Sequence, residues 1–71
     1  MYLDFYDAIK EVMKGNKITR EEWQKNDVYC FMNVSRLSIK YPNTKIQDWI
    51  ISDGDILGDD WKIVGGENEK I

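Results

Sequence analysis

The strongest structural signal in this sequence is one amphipathic segment near the N-terminus, between Leu3 and Lys14. Its apolar side chains recur at the spacing of an α-helix and fall into a single stripe: Phe5, Ala8, Ile9, Val12 and Met13. Asp4 is a suitable N-cap, and Gly15 supplies the left-handed conformation that commonly ends a helix. The segment therefore predicts one helix that buries one face.

After Gly15 the pattern changes to the two-residue alternation of β-strands. Short strands are predicted over residues 17–20, 28–34, 36–41, 45–51 and 60–64. A helical turn is predicted over 21–25, and a capping box predicts a one-turn helix that starts at Ser52-Asp53-Gly54-Asp55. The predicted fold is α+β: a small antiparallel sheet with the N-terminal helix packed on one face and the one-turn helix before the last strand.

Two of the predicted strands differ in chemistry between their faces. In strand 28–34 the expected core face is apolar, with Val28, Cys30, Met32 and Val34, and the opposite face is aromatic and polar, with Tyr29, Phe31 and Asn33. In strand 36–41 the expected inward residues are Leu37, Ile39 and Tyr41, and the outward ones are Arg36, Ser38 and Lys40. An aromatic stripe is typical of a core or an oligomer interface, and it also suits ligand contact. The outward cations either line such a pocket or form a solvated face.

Length and charge restrict what this chain can do. Its 71 residues suffice for one domain, predicted over 1–64, and the Gly-rich, charged segment 65–71 is predicted to be a flexible tail. A chain this short buries little surface, and oligomerisation is a common remedy. The net charge of −3 argues against a partner that is a DNA or RNA polymer, though a small anionic ligand needs only a few local cations. No apolar run is long enough to span a membrane, and the N-terminus does not resemble a signal peptide.

The usual catalytic and metal-binding groups are scarce. The sequence has no histidine and one cysteine, so neither a zinc site nor the commonest general base is available. Cys30 lies on an apolar strand face, which favours a buried core thiol over a nucleophile. The acidic residues Asp53, Asp55, Asp59 and Asp60 are interpreted as caps and solvated charge; a cation site or paired carboxylates for phosphoester chemistry are the alternatives. No cofactor and no enzymatic activity are expected.

The sequence Arg20-x-x-Trp23 has two interpretations. A guanidinium can hold a phosphate while an indole stacks on a base or ribose, so the pair can bind a nucleotide. Alternatively, Trp23 packs in the core and Arg20 pairs with a nearby acid.

The order of these segments resembles a known family. Phe5-x-x-Ala8-Ile9, then Gly15-x-x-Ile18-Thr19-Arg20-x-x-Trp23, then Asp55-Ile56-Leu57-Gly58-Asp59-Asp60-Trp61-x-Ile63-Val64 are similar to the phage Thoeris anti-defence type two family. The motifs cover about half of the chain and occur in the family's order. Two features depart from the family pattern: Gly58 stands where alanine is usual, and the segment 34–53 is shorter than in many members. The family's pocket can therefore be altered, opened to another ligand or lost.

The resemblance implies a phage immune-evasion protein in the host bacterial cytoplasm. Such a protein binds and sequesters a cyclic nucleotide signal, a cyclic ADP-ribose isomer or a cyclic oligonucleotide, without cleaving it, and it forms a homo-oligomer, a tetramer or dimer. Together with the residue chemistry, this gives a predicted set of ligand-binding residues: Arg20, Trp23, Tyr29, Phe31, Asn33 and Arg36. The alternatives are a protein-binding inhibitor or adaptor that uses the aromatic strand face against a host protein, and a small metal-dependent phosphodiesterase.

Overall fold

The structure is a computed structural model, and it describes residues 2–42 and 46–64. Within these residues, three helices and five strands follow one another in the order α1 Phe5–Met13, β1 Ile18–Arg20, α2 Glu21–Gln24, β2 Tyr29–Asn33, β3 Arg36–Lys40, β4 Ile46–Asp48, α3 Asp53–Leu57 and β5 Trp61–Ile63. The strands form one sheet in the order β4-β3-β2-β1-β5, and every neighbouring pair is antiparallel. The predicted α+β fold is confirmed. The predicted tail, 65–71, lies outside the described residues.

Helix α1 begins and ends as the sequence predicts. The Asp4 carboxylate accepts a hydrogen bond from the Asp7 amide at 2.9 Å, and Gly15 takes a φ of 99°, in the left-handed region. Ala8 and Val12 are fully buried against the sheet. Met13, however, is 70% exposed, so the prediction that it belongs to the buried stripe is wrong. Met13 is the last residue of α1, at the end of the helix that extends past the sheet.

The core lies between α1 and the facing side of the sheet. Among the described residues, its buried apolar side chains come from α1, from four strands and from the segment after β4, and they are Ala8, Val12, Ile18, Cys30, Ile39, Trp49 and Trp61. Trp61 is the largest fully buried side chain, and the rings of Phe5, Trp23 and Trp49 surround it at centroid distances of 5.8, 5.3 and 5.7 Å. Three aromatic side chains therefore converge on one indole, which explains why so small a domain uses three tryptophans.

The hairpin between β2 and β3 is tighter than the sequence suggests. Val34 and Ser35 form its turn with φ values of 49° and 74°, so the ladder ends at the Asn33–Arg36 pair. Val34 is 86% exposed, and its predicted place on the core face is wrong because the chain reverses there. Ser38, predicted to face outward, is buried although it lies on the face away from α1, since its cross-strand neighbours Phe31 and Asp48 carry larger side chains.

The capping box before α3 is confirmed. The Ser52 hydroxyl accepts from the Asp55 amide at 3.3 Å, and the Asp55 carboxylate accepts from the Ser52 amide at 3.1 Å. The Trp61 indole Nε1 also donates to the Asp55 carbonyl oxygen at 3.2 Å. These bonds attach α3 to the core beside β5.

Candidate ligand-binding surfaces

Arg20 lies at the end of β1 and points to the α1 side of the sheet. Its cross-strand partner is Trp61. Its Nε donates to Asp60 Oδ1 at 2.9 Å, and its Nη1 lies 3.7 Å from Asp55 Oδ1. Two carboxylates thus face one guanidinium that is mostly buried, with a side chain only 19% exposed.

Two indoles and a glycine enclose the same guanidinium. Its central carbon lies 5.8 Å from the Trp23 ring centroid and 5.6 Å from that of Trp61, within the range of cation–π attraction. Trp23 and Trp61 meet edge to face at 5.3 Å. A Cβ placed on Gly58 would lie 2.9 Å from Arg20 Nη2, so the glycine leaves the space that the arginine fills. This geometry is the one expected when Trp23 packs on the core and Arg20 pairs with an acid.

The four acidic residues near α3 differ in what they contact. Asp55 caps the helix and faces Arg20, and Asp60 carries the shorter ion pair to the same arginine. Asp53 and Asp59 are exposed. Within residues 2–42 and 46–64, no group of three or more acidic, cysteine or histidine side chains is placed to hold a metal ion.

The sheet face opposite α1, which we call the open face, carries the aromatic stripe of β2. Alternation and register place three consecutive outward residues of β2 against three of β3: Tyr29 against Lys40, Phe31 against Ser38, and Asn33 against Arg36. The Tyr29 and Phe31 rings lie 5.6 Å apart and are tilted by 52°. Both side chains are half-buried. The described helices place their buried residues on the α1 side of the sheet rather than on the open face.

Lysines approach Tyr29 from both neighbouring strands. Lys17, just before β1, places its Nζ 4.9 Å from the Tyr29 ring centroid. Lys40 is the direct cross-strand partner of Tyr29 on β3. The sequence identified Lys40 as an outward cation, but it did not single out Lys17. The strand alternation that puts Thr19 on the open face also puts Lys17 there, and this signal could have identified it.

Arg36 sits at the rim of the open face in a two-pronged ion pair with Asp48 of β4. Nη2 donates to both carboxylate oxygens at 2.9 and 2.6 Å, and Nε donates to Oδ1 at 3.1 Å. These bonds raise the pKa of Arg36. Because both side chains are largely exposed, the pair contributes little to stability.

A cavity of about 340 Å³ opens on the same face beside Tyr29. Its lining includes polar and charged side chains from β1, α2, the turn before β2, β2 itself and β3, and these are Thr19, Gln24, Asp27, Tyr29 and Lys40. A volume of this size is at the lower end of those of small-molecule sites. Trp23 instead lines a smaller cavity of about 260 Å³ on the α1 side, with Ile39 and Trp49.

The structure therefore separates the six predicted ligand-binding residues. Arg20 and Trp23 lie on the α1 side, whereas four residues lie together on the open face: Tyr29, Phe31, Asn33 and Arg36. Ligand contact by any of the six stays a prediction, and no single surface of one chain presents all of them.

Cys30 is the only cysteine and is fully buried in the core, which confirms the prediction of a core thiol. Burial, and to a smaller extent the charge of Asp55, raises the pKa of this thiol well above its ordinary value. The neutral thiol is a poor nucleophile.

Comparison with known proteins gives one family match. The model of the Thoeris anti-defense 2-like domain matches residues 3–64, which is most of the chain. No curated protein matches the sequence. In the part of the chain that the structure describes, no helix has the length and apolar character to cross a membrane. With matched residues that extend from before α1 to just after β5, this chain belongs to the Thoeris anti-defense 2-like domain family.

Proposed function

We propose that this protein is a phage immune-evasion factor that binds a cyclic nucleotide immune signal and sequesters it uncleaved in the host bacterial cytoplasm. The family's name supports an anti-defense role. The observation that carries the ligand class is the open face. There the Tyr29 and Phe31 rings lie 5.6 Å apart, Lys17 approaches the Tyr29 ring, and Tyr29 and Lys40 line a cavity of about 340 Å³, a size compatible with part of a nucleotide. Aromatic rings stack on bases, and ammonium groups attract phosphates.

Sequestration requires affinity without turnover. To compete with a receptor, such a protein needs a dissociation constant on the order of 1 nM or below, which corresponds to about −12 kcal/mol. A cavity that is open on one side does not enclose 70–90% of a ligand, the fraction that typical sites bury. The proposal therefore includes a homo-oligomer, a dimer or tetramer, in which a second chain covers the ligand.

The test is a depletion and release experiment. The protein is mixed with a cyclic ADP-ribose isomer or a cyclic trinucleotide, and free signal is measured by mass spectrometry before and after heat denaturation. We expect free signal to disappear in proportion to added protein and to return intact on heating. A signal that stays free before heating, or that returns as a cleaved product, would overturn the proposal.

Matched variants locate the binding surface. Tyr29→Ala removes a ring from the open face, whereas Tyr6→Ala removes the same ring from an exposed position on α1. We expect Tyr29→Ala to weaken depletion about tenfold or more, because stacking on one base contributes about 1–3 kcal/mol. Tyr6→Ala should deplete signal like the unmodified chain, and thermal melts of both variants show whether they are folded.

The second candidate is a protein-binding inhibitor or adaptor that uses the open face against a host protein. Half-buried aromatic side chains on a sheet face are also typical of protein interfaces. This function predicts a stoichiometric host protein in a pull-down that Tyr29→Ala loses and Tyr6→Ala keeps. A pull-down without such a partner counts against it.

A further inference from the structure

We propose that Lys17 and Lys40 form an anion site across Tyr29, and that this site holds a phosphate or pyrophosphate group of the ligand. The inference rests on the proposed function and adds to it the residues that recognise the charged part of a nucleotide. Neither lysine belongs to the motifs Arg20-x-x-Trp23 or Asp59-Asp60-Trp61 that relate the chain to its family.

Charge pairing distinguishes these lysines from most other cations. Within the described residues, five cations lie within 4 Å of a carboxylate: Lys10, Lys14, Arg20, Arg36 and Lys62. Lys17, Lys25 and Lys40 have no such ion pair among residues 2–42 and 46–64. Of these three, Lys17 and Lys40 adjoin the same aromatic ring.

The places of the two lysines on either side of Tyr29 suit one shared anion. Lys17 Nζ lies 4.9 Å from the Tyr29 ring centroid, and Lys40 is directly opposite Tyr29 in the register of β2 and β3. Directly opposed residues in an antiparallel pair have Cβ atoms only about 5 Å apart, so the Lys40 side chain starts beside Tyr29, and both residues line the same cavity. Lys40 Nζ donates to the Tyr41 carbonyl oxygen at 3.5 Å, a long bond that an anion can replace.

The other polar groups that line the cavity beside Tyr29 and Lys40 indicate which chemical groups the rest of the ligand should carry. Thr19 Oγ1 donates its proton to the Val28 carbonyl oxygen at 2.6 Å, so this hydroxyl does not donate to an anion. The lysines are therefore the donors that an anion would meet. Asp27 and Gln24 line the same cavity, and Asp27 would repel a second anion there. Its carboxylate suits hydrogen-bond donors such as ribose hydroxyls or an exocyclic amine. The favoured ligand has its anionic group at the lysines and a neutral, donor-rich part near Asp27.

The test uses Lys17→Gln, Lys40→Gln and the double variant, with Lys25→Gln as the control. All single variants remove one positive charge, and Lys25 is an exposed residue directly after α2 that is not part of the cavity lining. Dissociation constants for a cyclic ADP-ribose isomer and a cyclic trinucleotide are measured by calorimetry at low and high salt. Each open-face variant should weaken binding by about tenfold, the effect of losing one charge-assisted contact, and Lys25→Gln by less than about twofold. Salt should weaken the unmodified protein more than the double variant.

The outcomes separate the two proposals. If the unmodified protein binds neither probe, the proposed function is overturned and the anion site with it. If it binds but Lys17→Gln and Lys40→Gln match Lys25→Gln, the anion site is wrong while the proposed function stands. Thermal melts identify any variant that is unfolded, and for such a variant Lys17→Arg or Lys40→Arg, which keeps the charge, should retain binding within about threefold. Loss of binding by a folded, charge-keeping variant to the level of the double variant also contradicts the site.

Discussion

Gly58 approaches Arg20 so closely that a Cβ at position 58 would lie 2.9 Å from Nη2 and 3.1 Å from the guanidinium carbon. The φ of Gly58 is −69°, which any residue adopts, so the glycine is needed for space rather than for backbone freedom. The contact connects the end of α3 with the end of β1. The contact falls at the position where the family resemblance predicts alanine.

The first prediction concerns this contact. Gly58→Ala should lower the free energy of unfolding by about 1–2 kcal/mol, because the added methyl displaces a guanidinium held by two carboxylates. The measurement is chemical denaturation followed by tryptophan fluorescence. Gly54→Ala is the control, since its Cβ would meet only Ser52 Oγ at 3.8 Å. A Gly58→Ala variant as stable as Gly54→Ala would show that Arg20 moves aside freely.

The second prediction tests the charge balance around Arg20. Arg20→Met should destabilise the fold by about 2–3 kcal/mol, because it leaves the Asp55 and Asp60 carboxylates close together without a cation. Adding Asp60→Asn to Arg20→Met should recover part of the loss. Arg36→Met, which breaks an exposed pair with Asp48, should cost less than about 1 kcal/mol. Equal losses in Arg20→Met and Arg36→Met would contradict this account.

The third prediction concerns the central indole. Trp61→Phe should lower the free energy of unfolding by about 2–3 kcal/mol, because it opens space among three rings and removes the hydrogen bond that the indole donates to the Asp55 carbonyl oxygen. Differential scanning calorimetry measures the change. Tyr6→Ala, an exposed aromatic deletion, should change stability by less than about 0.5 kcal/mol. The packing account fails if Trp61→Phe melts at the same temperature as the unmodified chain.

The fourth prediction is a pH dependence at the end of α1. The hydrogen bond that Asn16 Nδ2 donates to Glu11 at 2.8 Å, with help from Lys14, holds the pKa of Glu11 below its ordinary 4.5. A lowered carboxyl pKa stabilises the fold above about pH 4.5, and this contribution is lost as pH falls through the folded-state pKa. Glu11→Gln should therefore flatten the acid side of the stability profile measured by urea denaturation. Glu22→Gln, an exposed substitution on α2, is the control, and identical profiles for the two variants would refute the prediction.

The fifth prediction concerns Cys30. Because the thiol is buried and its pKa is raised, a thiol reagent at mildly alkaline pH should modify the native chain only as fast as the chain unfolds. Mass spectrometry measures labelling with and without denaturant. The exposed Lys25→Cys variant should gain one fast-reacting thiol and no more. Fast labelling of Cys30 in the native chain would contradict its burial.

Several parts of the fold could be predicted because they depend on local chemistry. The stripe of α1, the Asp4 cap, Gly15 and the Ser52–Asp55 capping box all act within a few residues, and all appear where the sequence places them. The predictions of burial were wrong where the chain reverses direction or where a helix ends. Val34 continues the alternation of β2 but lies in the turn, and Met13 continues the stripe of α1 beyond the sheet.

The surfaces could be predicted only in part. The alternation of β2 and β3 predicts that Tyr29, Phe31, Asn33 and Arg36 share a face, and they do. Alternation within one strand does not give the diagonal approach of Lys17 to Tyr29, which depends on how β1 and β2 are offset. The enclosure of Arg20 also depends on residues about 40 positions away, and no local pattern pairs them.

The sequence by itself determined the class of the fold, the family, the chemistry that is scarce, and the alternation that gives the sheet two unlike faces. These properties follow from residue types and short spacings, which act before distant segments meet. Only the tertiary structure decided how the cations are used. Packing places Arg20 among two carboxylates and two indoles, where its charge is paired, and it leaves Lys17 and Lys40 beside Tyr29. Long-range pairing, rather than residue type, encloses one cation beside the core and places two others on the open face, where we propose that they bind an anion.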